Sequence, residues 1–305
     1  MPDVTRVILD LDTGTDDALA LAFAVRSSQL DIVAVTTVAG NVGVADTTEN
    51  TLRVLSYLGA GHVPVHRGLS RPLVRRHQDA GYFHGERGLG GLKLPPSSAT
   101  AVSPSAPQLL VDRIMAAPGQ ITLIATGPLT NLASAIALEP GLPAALGNLV
   151  VMGGALSGGN VTPFAEYNIF VDPEAAAQVI AACRLTMVGL DVTRQTAITR
   201  PMRDLLAPLD TETARLVYGV TAEALERGVW DVFHLHDPLA VGVAIDPTLC
   251  TVRTGTVTVE TASAERTGQT TFQPEAAGAH QVCVDVDAPR FLSLLAGALS
   301  LPLGR

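Results

Sequence analysis

The fold is decided by Val7-Ile8-Leu9-Asp10-Leu11-Asp12-Thr13-Gly14-Thr15-Asp16-Asp17-Ala18, a stretch near the start of the chain. Its first half is mostly apolar, and such a run is typical of a strand that helices cover on both faces of a sheet. Gly14 then allows a tight turn. The stretch therefore predicts a buried strand over Val4–Leu11, a turn, and a helix over Asp16–Arg26.

The same alternation of strand and helix continues along the chain. Further strands are predicted over Asp31–Val38, Val63–His66, Ile121–Ala125, Leu149–Met152 and Leu185–Leu190, with two late strands over Thr251–Glu260 and Gln281–Val286 at one edge. Helices are predicted over Val44–Leu58, Pro107–Ala116, Leu129–Leu138, Pro173–Cys183, Thr199–Gly228 and Asp287–Leu295. This order implies an α/β fold with a mainly parallel, open twisted sheet and helices on both faces. Ligands of such sheets bind at the carboxyl ends of the strands.

One long segment interrupts the alternation. Residues Arg71–Ser105 are rich in Gly, Pro and Ser and contain His77 and His84. A loop of this length within a compact domain is usually functional or disordered. We therefore predict a single domain over residues 1–305, with a mobile active-site loop around residues 72–97.

Composition excludes several classes of function. The chain has 305 residues, of which 47% are hydrophobic and 16% charged, as in a well-buried globular protein. Its 29 acidic and 20 basic residues give a net charge of −9, which argues against a nucleic-acid surface. We find no secretory signal and no apolar run of the roughly 18 residues that a membrane span needs. Cys183, Cys250 and Cys283 form no CxxC pair, so reduced thiols in a cytoplasmic protein are expected.

The turn after the first strand carries three carboxylates, Asp12, Asp16 and Asp17. Acidic residues at the start of a helix stabilise it by capping free N–H groups, and this explains one or two of them. It does not explain three acids at one strand end, where mutual repulsion must be offset. A divalent cation offsets that repulsion, and ligands that are all oxygen atoms favour calcium, magnesium or manganese over zinc.

The turn alone also resembles a second class of enzyme. Asp10-Leu11-Asp12-Thr13-Gly14 nearly matches the DxDx(T/V) signature of haloacid-dehalogenase-like magnesium phosphatases, in which Asp10 would be the nucleophile and Asp12 the acid-base. Those enzymes also need a downstream basic residue to hold the phosphate. The only lysine, Lys93, lies in a Gly- and Pro-rich loop, which is a poor scaffold for that role. The phosphatase therefore ranks second.

Further polar groups follow other predicted strands. Asn41 follows the second strand, Thr126 follows Ile121–Ala125, and Asp237 stands before Pro238 at a helix start, where it is either a helix cap or a third metal carboxylate. The segment that follows Met152 contains Asn160, Glu166, Tyr167 and Asn168 in apolar surroundings. Polar groups are costly to bury without partners, and a sugar with several hydroxyl groups would satisfy them.

The order and wording of these segments resemble the inosine-uridine-preferring nucleoside hydrolases, from Val7 to about Pro247. The motifs that carry the resemblance are Asp12-x-Gly14-x-Asp16-Asp17-Ala18, Thr37-x-x-Gly40-Asn41, His84-Gly85-Glu86, Thr126-Gly127-Pro128-Leu129-Thr130-Asn131, Met152-Gly153-Gly154, Asn160 through Asn168, Asp172-Pro173-Glu174-Ala175-Ala176 and His236-Asp237-Pro238. The resemblance implies hydrolysis of the N-glycosidic bond of ribonucleosides, a Rossmann-like nucleoside hydrolase fold and a homo-oligomer, either a dimer or a tetramer.

The resemblance also implies a role for each matched residue. A calcium ion would be held by Asp12, Asp17, Asp237 and the Thr126 carbonyl, and an ion-bound water with Asp12 as its base would attack the anomeric carbon. The sugar ligands would be Asp16, Asn41 and Asn168 at the 2′ and 3′ hydroxyls, with Asn160 and Glu166 at the 5′ hydroxyl. His236 would protonate the leaving base, and His84 would lie near that base. Asn168 is also counted with Asp12 and His236 among the catalytic residues.

The base pocket is less well determined by the sequence. Tyr167 adjoins the sugar segment and is expected to pack on the ligand or in the core. Tyr218, Trp230, Phe233 and His234 precede His236 and are candidates for one wall of the pocket. Purine or pyrimidine preference therefore stays open, and a non-catalytic nucleoside or sugar binding protein is the third alternative.

Overall fold

The computed structural model describes residues 4–226 and 231–303. The strands in these ranges are β1 (Thr5–Leu11), β2 (Leu30–Thr37), β3 (Val65–Arg67), β4 (Ile121–Ala125), β5 (Asn148–Met152), β6 (Thr186–Val188), β7 (Ala197–Thr199), β8 (Val232–His234), β9 (Cys250–Val259), β10 (Thr270–Pro274) and β11 (His280–Val286). The helices are α1 (Thr15–Arg26), α2 (Val44–Tyr57), α3 (Gly81–His84), α4 (Ala106–Ala116), α5 (Thr130–Leu138), α6 (Leu142–Ala145), α7 (Tyr167–Val171), α8 (Pro173–Ala182), α9 (Leu190–Thr193), α10 (Arg200–Asp204), α11 (Glu212–Glu226), α12 (His236–Ile245) and α13 (Ala288–Leu299). No helix in the described ranges is long and apolar enough to cross a membrane.

The central sheet is mainly parallel. Its strand order within the described residues is β10-β9-β11-β6-β5-β4-β1-β2-β3. Every neighbouring pair from β11 to β3 is parallel, whereas β9 pairs antiparallel with β10 and β11. The predicted parallel sheet is confirmed, and the late strands form an antiparallel addition at one edge as predicted.

Helices cover both faces of this sheet, and β1 illustrates why its sequence is so apolar. Val7, Leu9 and Leu11 pack into one buried cluster with helices α1, α11 and α12. Ile8 points to the opposite face and packs into a second cluster with α4, α5 and α8. Successive side chains of a strand alternate between faces, so a strand with two covered faces must be apolar at both sets of positions. The predicted α/β class is therefore confirmed.

Two element predictions need correction. The predicted helix over Thr199–Gly228, of which residues 227 and 228 lie outside the described ranges, is two helices, α10 and α11, separated by residues 205–211. Pro208 lies in this break, and proline disfavours helix both by lacking an N–H and by restricting the residue before it. The predicted strand over Leu185–Leu190 ends at Val188, because Gly189 then begins the short helix α9 as its N-cap.

The predicted active-site loop is tied to the body of the protein along its first part. The Leu73 N–H donates to the Asp172 carboxylate at 2.9 Å, and Arg75 donates from both Nε and Nη2 to Glu174. His77 Nε2 lies 2.7 Å from the Gly40 carbonyl oxygen. These contacts hold the segment before α3, so that α3, which ends in His84, lies at the carboxyl ends of the strands. The mobility of residues 72–97 stays a prediction.

Candidate active site

A cavity of about 320 Å³ lies at the carboxyl ends of the parallel strands. It is lined by ten of the residues that the sequence predicted for the site, namely Asp16, Asn41, His84, Thr126, Asn160, Glu166, Tyr167, Asn168, His236 and Asp237. These residues come from segments that are up to 221 positions apart in the chain, from Asp16 to Asp237. They meet because parallel strands end at one edge of the sheet.

Three carboxylates form a group at the floor of the cavity, where Asp16 and Asp237 line the cavity and Asp17 lies buried against them. Asp16 and Asp17 lie in the first turn of α1, Asp237 lies in the first turn of α12, and all three are buried. One oxygen atom from each lies within 4.8 Å of the others, and within the described residues this is the one such group able to hold a metal ion. The capping alternative also holds in part, because Asp17 Oδ2 accepts from the Gly14 N–H at 2.9 Å.

Asp12 lies beside this group and is fully buried. Its Oδ2 accepts from the Asn41 N–H at 2.7 Å, whereas its Oδ1 has no hydrogen-bond partner among the described residues. Two glycines, Gly40 and Gly127, lie directly against this carboxylate. A Cβ added at Gly127 would lie 2.9 Å from Asp12 Oδ1, and one at Gly40 would overlap Oδ2. A buried carboxylate oxygen without a donor is costly, and a cation is the kind of group that satisfies it.

Thr126 connects the floor of the cavity to its wall. Its hydroxyl donates to Asp17 Oδ1 at 2.9 Å, and its carbonyl accepts from Asn168 Nδ2 at 2.6 Å. Asn41 also donates from its side chain to Asp17 Oδ2 at 3.1 Å. Asp17 is therefore held by three donors in a fixed orientation, and Asn168 is oriented by the residue that follows β4.

Burial raises the pKa of all four aspartates. It raises the pKa of Asp12 and Asp237 well above the ordinary value, with repulsion from Asp17 and Asp16 respectively as the next cause. The pKa of Asp16 rises to about 7 for the same two reasons, burial first and Asp17 second, and the pKa of Asp17 also rises through burial. A cation would keep these groups ionised near neutral pH. Because the donors are all oxygen atoms, the site fits a hard cation such as calcium, magnesium or manganese.

The wall that the sequence assigns to the sugar is built around Glu166. This buried carboxylate is the N-cap of α7 and accepts from the backbone N–H groups of Gly154, Asn168 and Ile169 at 2.8 to 3.1 Å. Burial nevertheless raises its pKa to about 7. The Tyr167 hydroxyl donates at 2.7 to 2.8 Å to two carbonyl oxygens, that of Gly40 in the loop after β2 and that of Gln78 in the loop before α3. Tyr167 thus links these loops as well as lining the cavity.

Two histidines from different elements, His84 of α3 and His236 of α12, line the cavity. His84 Nδ1 lies 2.8 Å from Thr15 Oγ1 and accepts from the Thr15 N–H at 3.2 Å. His236 Nδ1 lies 2.7 Å from Thr193 Oγ1. Burial lowers the pKa of each to about 3, so both imidazoles are neutral at neutral pH.

The predicted base wall is found in part. Phe233 and His234 line the cavity, whereas Tyr218 lies beneath the Arg203 guanidinium, 4.9 Å from it, and is absent from the lining given by the described residues. Trp230 lies outside the described residues. The lining also includes Tyr82, Phe83 and Arg194, which were not predicted from the sequence. The position of Arg194 shortly after β6, at a strand end, was the signal available for it.

The geometry argues against the phosphatase alternative. Asp10 Oδ1 accepts from Thr36 Oγ1 at 2.6 Å and from Asn131 Nδ2 at 2.8 Å, and Asp10 is fully buried and absent from the cavity lining that the described residues form. A nucleophile must reach its substrate. Lys93 lines a separate cavity and so is not placed to hold a phosphate against Asp10.

Comparison of the chain with known proteins agrees with this site. The model of the inosine-uridine preferring nucleoside hydrolase family matches residues 7–293. The inosine-uridine preferring nucleoside hydrolase of Leishmania major is 36% identical over 304 residues, which cover 96% of this chain and 97% of that protein. The non-specific ribonucleoside hydrolase RihC of Escherichia coli K12 is 35% identical over 300 residues, which cover 97% of this chain and 98% of that protein.

Solved structures give the same result. The purine-preferring ribonucleoside hydrolase from Gardnerella vaginalis superposes with a TM-score of 0.92 at 33% identity, covering 97% of this chain and 98% of that chain. The plant nucleoside hydrolase PpNRh1 superposes with a TM-score of 0.91 at 34% identity, covering 98% of this chain and 99% of that chain. Because the family model matches residues 7–293, which are nearly the whole of this chain, the chain belongs to the inosine-uridine preferring nucleoside hydrolase family.

Proposed function

We propose that this enzyme hydrolyses the N-glycosidic bond of ribonucleosides with a calcium ion, releasing the free base and ribose. The observation that carries the proposal is the cavity itself, which combines an acidic, oxygen-only floor with a polar wall. The names of the relatives support the substrate class, since they are nucleoside hydrolases of inosine-uridine preferring, non-specific and purine-preferring types.

Calcium would be held by Asp12, Asp17, Asp237 and the carbonyl of Thr126. The unpartnered Oδ1 of Asp12 and the short separation of Asp17 from Asp237 support this assignment. Asp16 belongs to the same group of carboxylates, and the family resemblance directs it to the ribose. When bound, calcium lowers the pKa of a coordinated water, which supplies the nucleophile near neutral pH.

The residues around the sugar would orient it and favour the charge that develops. The family resemblance supports Asp12 as the base that would take the proton of the attacking water. Asp16, Asn41 and Asn168 would hold the 2′ and 3′ hydroxyls, and Asn160 and Glu166 the 5′ hydroxyl. Cleavage of a ribosyl C–N bond gives the anomeric carbon oxocarbenium character, and the surrounding carboxylates stabilise that positive charge.

The leaving base would depart toward the histidine side of the cavity. His236 would donate its N–H to the base and lessen the negative charge that builds on it, and His84 would contact the base from the α3 side. A neutral imidazole that carries one N–H is suited to this donation. The family resemblance also supports a homodimer or homotetramer, and we propose that it works in the cytoplasm.

The test is a panel of purine and pyrimidine ribonucleosides with detection of reducing sugar, with calcium and after exhaustive chelation. We expect ribose release that calcium restores to the chelated enzyme. Full activity after chelation would remove the metal from the proposal. Saturable binding of inosine by calorimetry without any product would instead favour the non-catalytic binding protein, and phosphate release from an ester panel would favour the phosphatase.

Stability of the metal-free protein is expected to depend on pH through the buried acids. The pKa values of Asp16 and Glu166, about 7 in the folded protein, lie above the ordinary carboxyl values of the unfolded chain. Their contribution to stability is therefore present at low pH and is lost as the pH rises through about 7. We expect the melting temperature of the chelated protein to increase as the pH falls from 8 to about 6.5.

Below about pH 6.5 the buried histidines act in the opposite direction, since their lowered pKa values make the unfolded chain the better proton acceptor. Calcium competes with protons for the carboxylates, so the melting-temperature increase caused by calcium should be larger at pH 8 than at pH 6.5. Thermal melts at both pH values, with and without calcium, measure this. A calcium effect that shrinks as the pH rises would contradict the assignment of the ion to the acidic floor.

A further inference from the structure

One nitrogen of the His236 ring, Nδ1, contacts a buried threonine, Thr193. Thr193 is the last residue of α9 and is 0% exposed. Its Oγ1 lies 2.7 Å from His236 Nδ1, a distance typical of a strong hydrogen bond. His236 itself lines the cavity, so Nε2 is the ring nitrogen left for a bound group.

The hydrogen in this contact can be assigned from the surroundings of the hydroxyl. A buried hydroxyl needs an acceptor for its hydrogen, and within the described part of the chain the ring nitrogen is the one acceptor in hydrogen-bond contact with Thr193 Oγ1. The neighbouring Thr196 differs, because its hydroxyl donates to the carbonyls of Thr193 and Leu235. Thr193 therefore donates to Nδ1, and a neutral His236 then carries its hydrogen on Nε2.

The backbone fixes both partners of this contact. The Thr193 carbonyl accepts from the Thr196 N–H at 3.2 Å, and the Thr196 carbonyl accepts from the Leu235 N–H at 3.0 Å. Directly beyond these bonds, Ala197 of β7 pairs with His234 of β8. The short two-stranded sheet thus holds the segment before His236 at a set distance from α9, and the position of Thr193 does not depend on an exposed loop.

We propose that Thr193 is a positioning residue, whose hydroxyl holds His236 in the tautomer with hydrogen on Nε2 and so presents an N–H donor to the leaving base. The proposal rests on the proposed function, in which His236 assists departure of the base. It adds a residue that does not touch the substrate. In a neutral imidazole the partner of one nitrogen decides which nitrogen carries the hydrogen, and this is the physical basis of the role.

The kinetic experiment compares Thr193→Val, which keeps the shape and removes the hydroxyl, with Thr193→Ser, which keeps the hydroxyl. For inosine we expect Thr193→Val to lower kcat about 10-fold with little change in KM, and Thr193→Ser to stay within about 2-fold of the parent enzyme. In a His236→Ala background Thr193→Val should cause no further loss, because residues that act as a unit are not additive. A further loss in that background would overturn the proposal.

A second measurement is independent of activity. In protein labelled with ¹⁵N-histidine, the ring nitrogen shifts of His236, assigned by their loss in His236→Ala, report the tautomer directly. We expect the Nε2–H tautomer in the parent and in Thr193→Ser, and its partial or complete replacement in Thr193→Val. An Nδ1–H tautomer in the parent, or an unchanged tautomer in Thr193→Val, would overturn the proposal even if no nucleoside were hydrolysed. Failure of the proposed function alone would leave the expected tautomers in place.

Discussion

Asp12→Asn is expected to lower kcat/KM for inosine about 10³-fold or more, equivalent to about 4 kcal/mol of transition-state stabilisation. The amide oxygen can still accept from the Asn41 N–H, as Asp12 Oδ2 does at 2.7 Å. The amide nitrogen then occupies the position of the unpartnered Oδ1 and directs N–H groups at the cation site. The substitution thus removes a ligand and a base together while keeping the shape of the side chain.

The same variant should gain stability without metal. Burial and the neighbouring Asp17 raise the pKa of Asp12, which means that the ionised carboxylate is costly in the folded metal-free protein. We expect the chelated variant to melt at a higher temperature than the chelated parent at pH 8, and calcium to raise its melting temperature little. Calorimetry with calcium, thermal melts and inosine kinetics measure the three effects.

Asp10→Asn is the matched control. Asp10 is another buried acid of the same segment, and its Oδ1 accepts from Thr36 and Asn131, a role that an amide oxygen can keep. Its pKa, about 6, is also raised by burial, so the two substitutions remove similar buried charges. We expect Asp10→Asn to retain calcium binding and most activity. Equal losses in both variants would mean either that Asp10 matters as much as Asp12 for catalysis or that both variants misfold, and each result would contradict the assignment of the cation to Asp12.

The parallel core was predictable because its sequence signal is local. The strands β1 and β4 lie between covered faces, which makes them mostly apolar, and the structure places β4 at the predicted residues Ile121–Ala125. The edge strand β10, Thr270–Pro274, was missed because an exposed strand carries a mixed pattern with no apolar run. The strands β7 and β8 have three residues each, too few for any periodicity to appear.

The site was predictable where residue type and strand end coincide. Asp12 and Thr126 each follow a strand directly, so the rule that ligands bind at strand ends identifies both. Partners that act through tertiary packing gave no such signal. Thr15 and Thr193 contact the two histidines from other elements, and a threonine within or at the end of a helix has no distinctive pattern in sequence.

The acidic turn combines both explanations that the sequence left open. Asp17 accepts from the Gly14 N–H as a capping carboxylate does, and Asp16 and Asp237 lie in the first turns of α1 and α12. A helix N-terminus stabilises a nearby anion by about 0.3 to 1 kcal/mol at exposed positions and by up to about 2 kcal/mol when partly buried. Taking an ion out of water costs several kcal/mol, so the helix ends alone do not offset the burial of a fourfold acidic cluster. The proposed cation would supply the remaining stabilisation.

His236→Ala is expected to lower kcat for inosine by about 10²- to 10⁴-fold, the range typical of a group that assists proton transfer to a leaving group. KM should change much less, because the sugar contacts proposed for Asn41, Asn160 and Glu166 are untouched. The loss should depend on the leaving group. In a riboside of 4-nitrophenol, the leaving group departs as a stable anion and needs little protonation. Hydrolysis of this riboside should therefore fall far less than hydrolysis of inosine.

His66→Ala is the control for general damage by loss of an imidazole. His66 is buried at 3% exposure, its Nδ1 lies 2.8 Å from the Pro104 carbonyl oxygen, and it does not line the cavity. We expect His66→Ala to lower the melting temperature of the protein and to leave the ratio of nitrophenyl riboside hydrolysis to inosine hydrolysis unchanged. That ratio separates the hypotheses. A rise confined to His236→Ala places His236 at the leaving base, whereas equal losses of both substrates in His236→Ala would show that the imidazole supports the fold or the ion and leaves protonation of the base to another group.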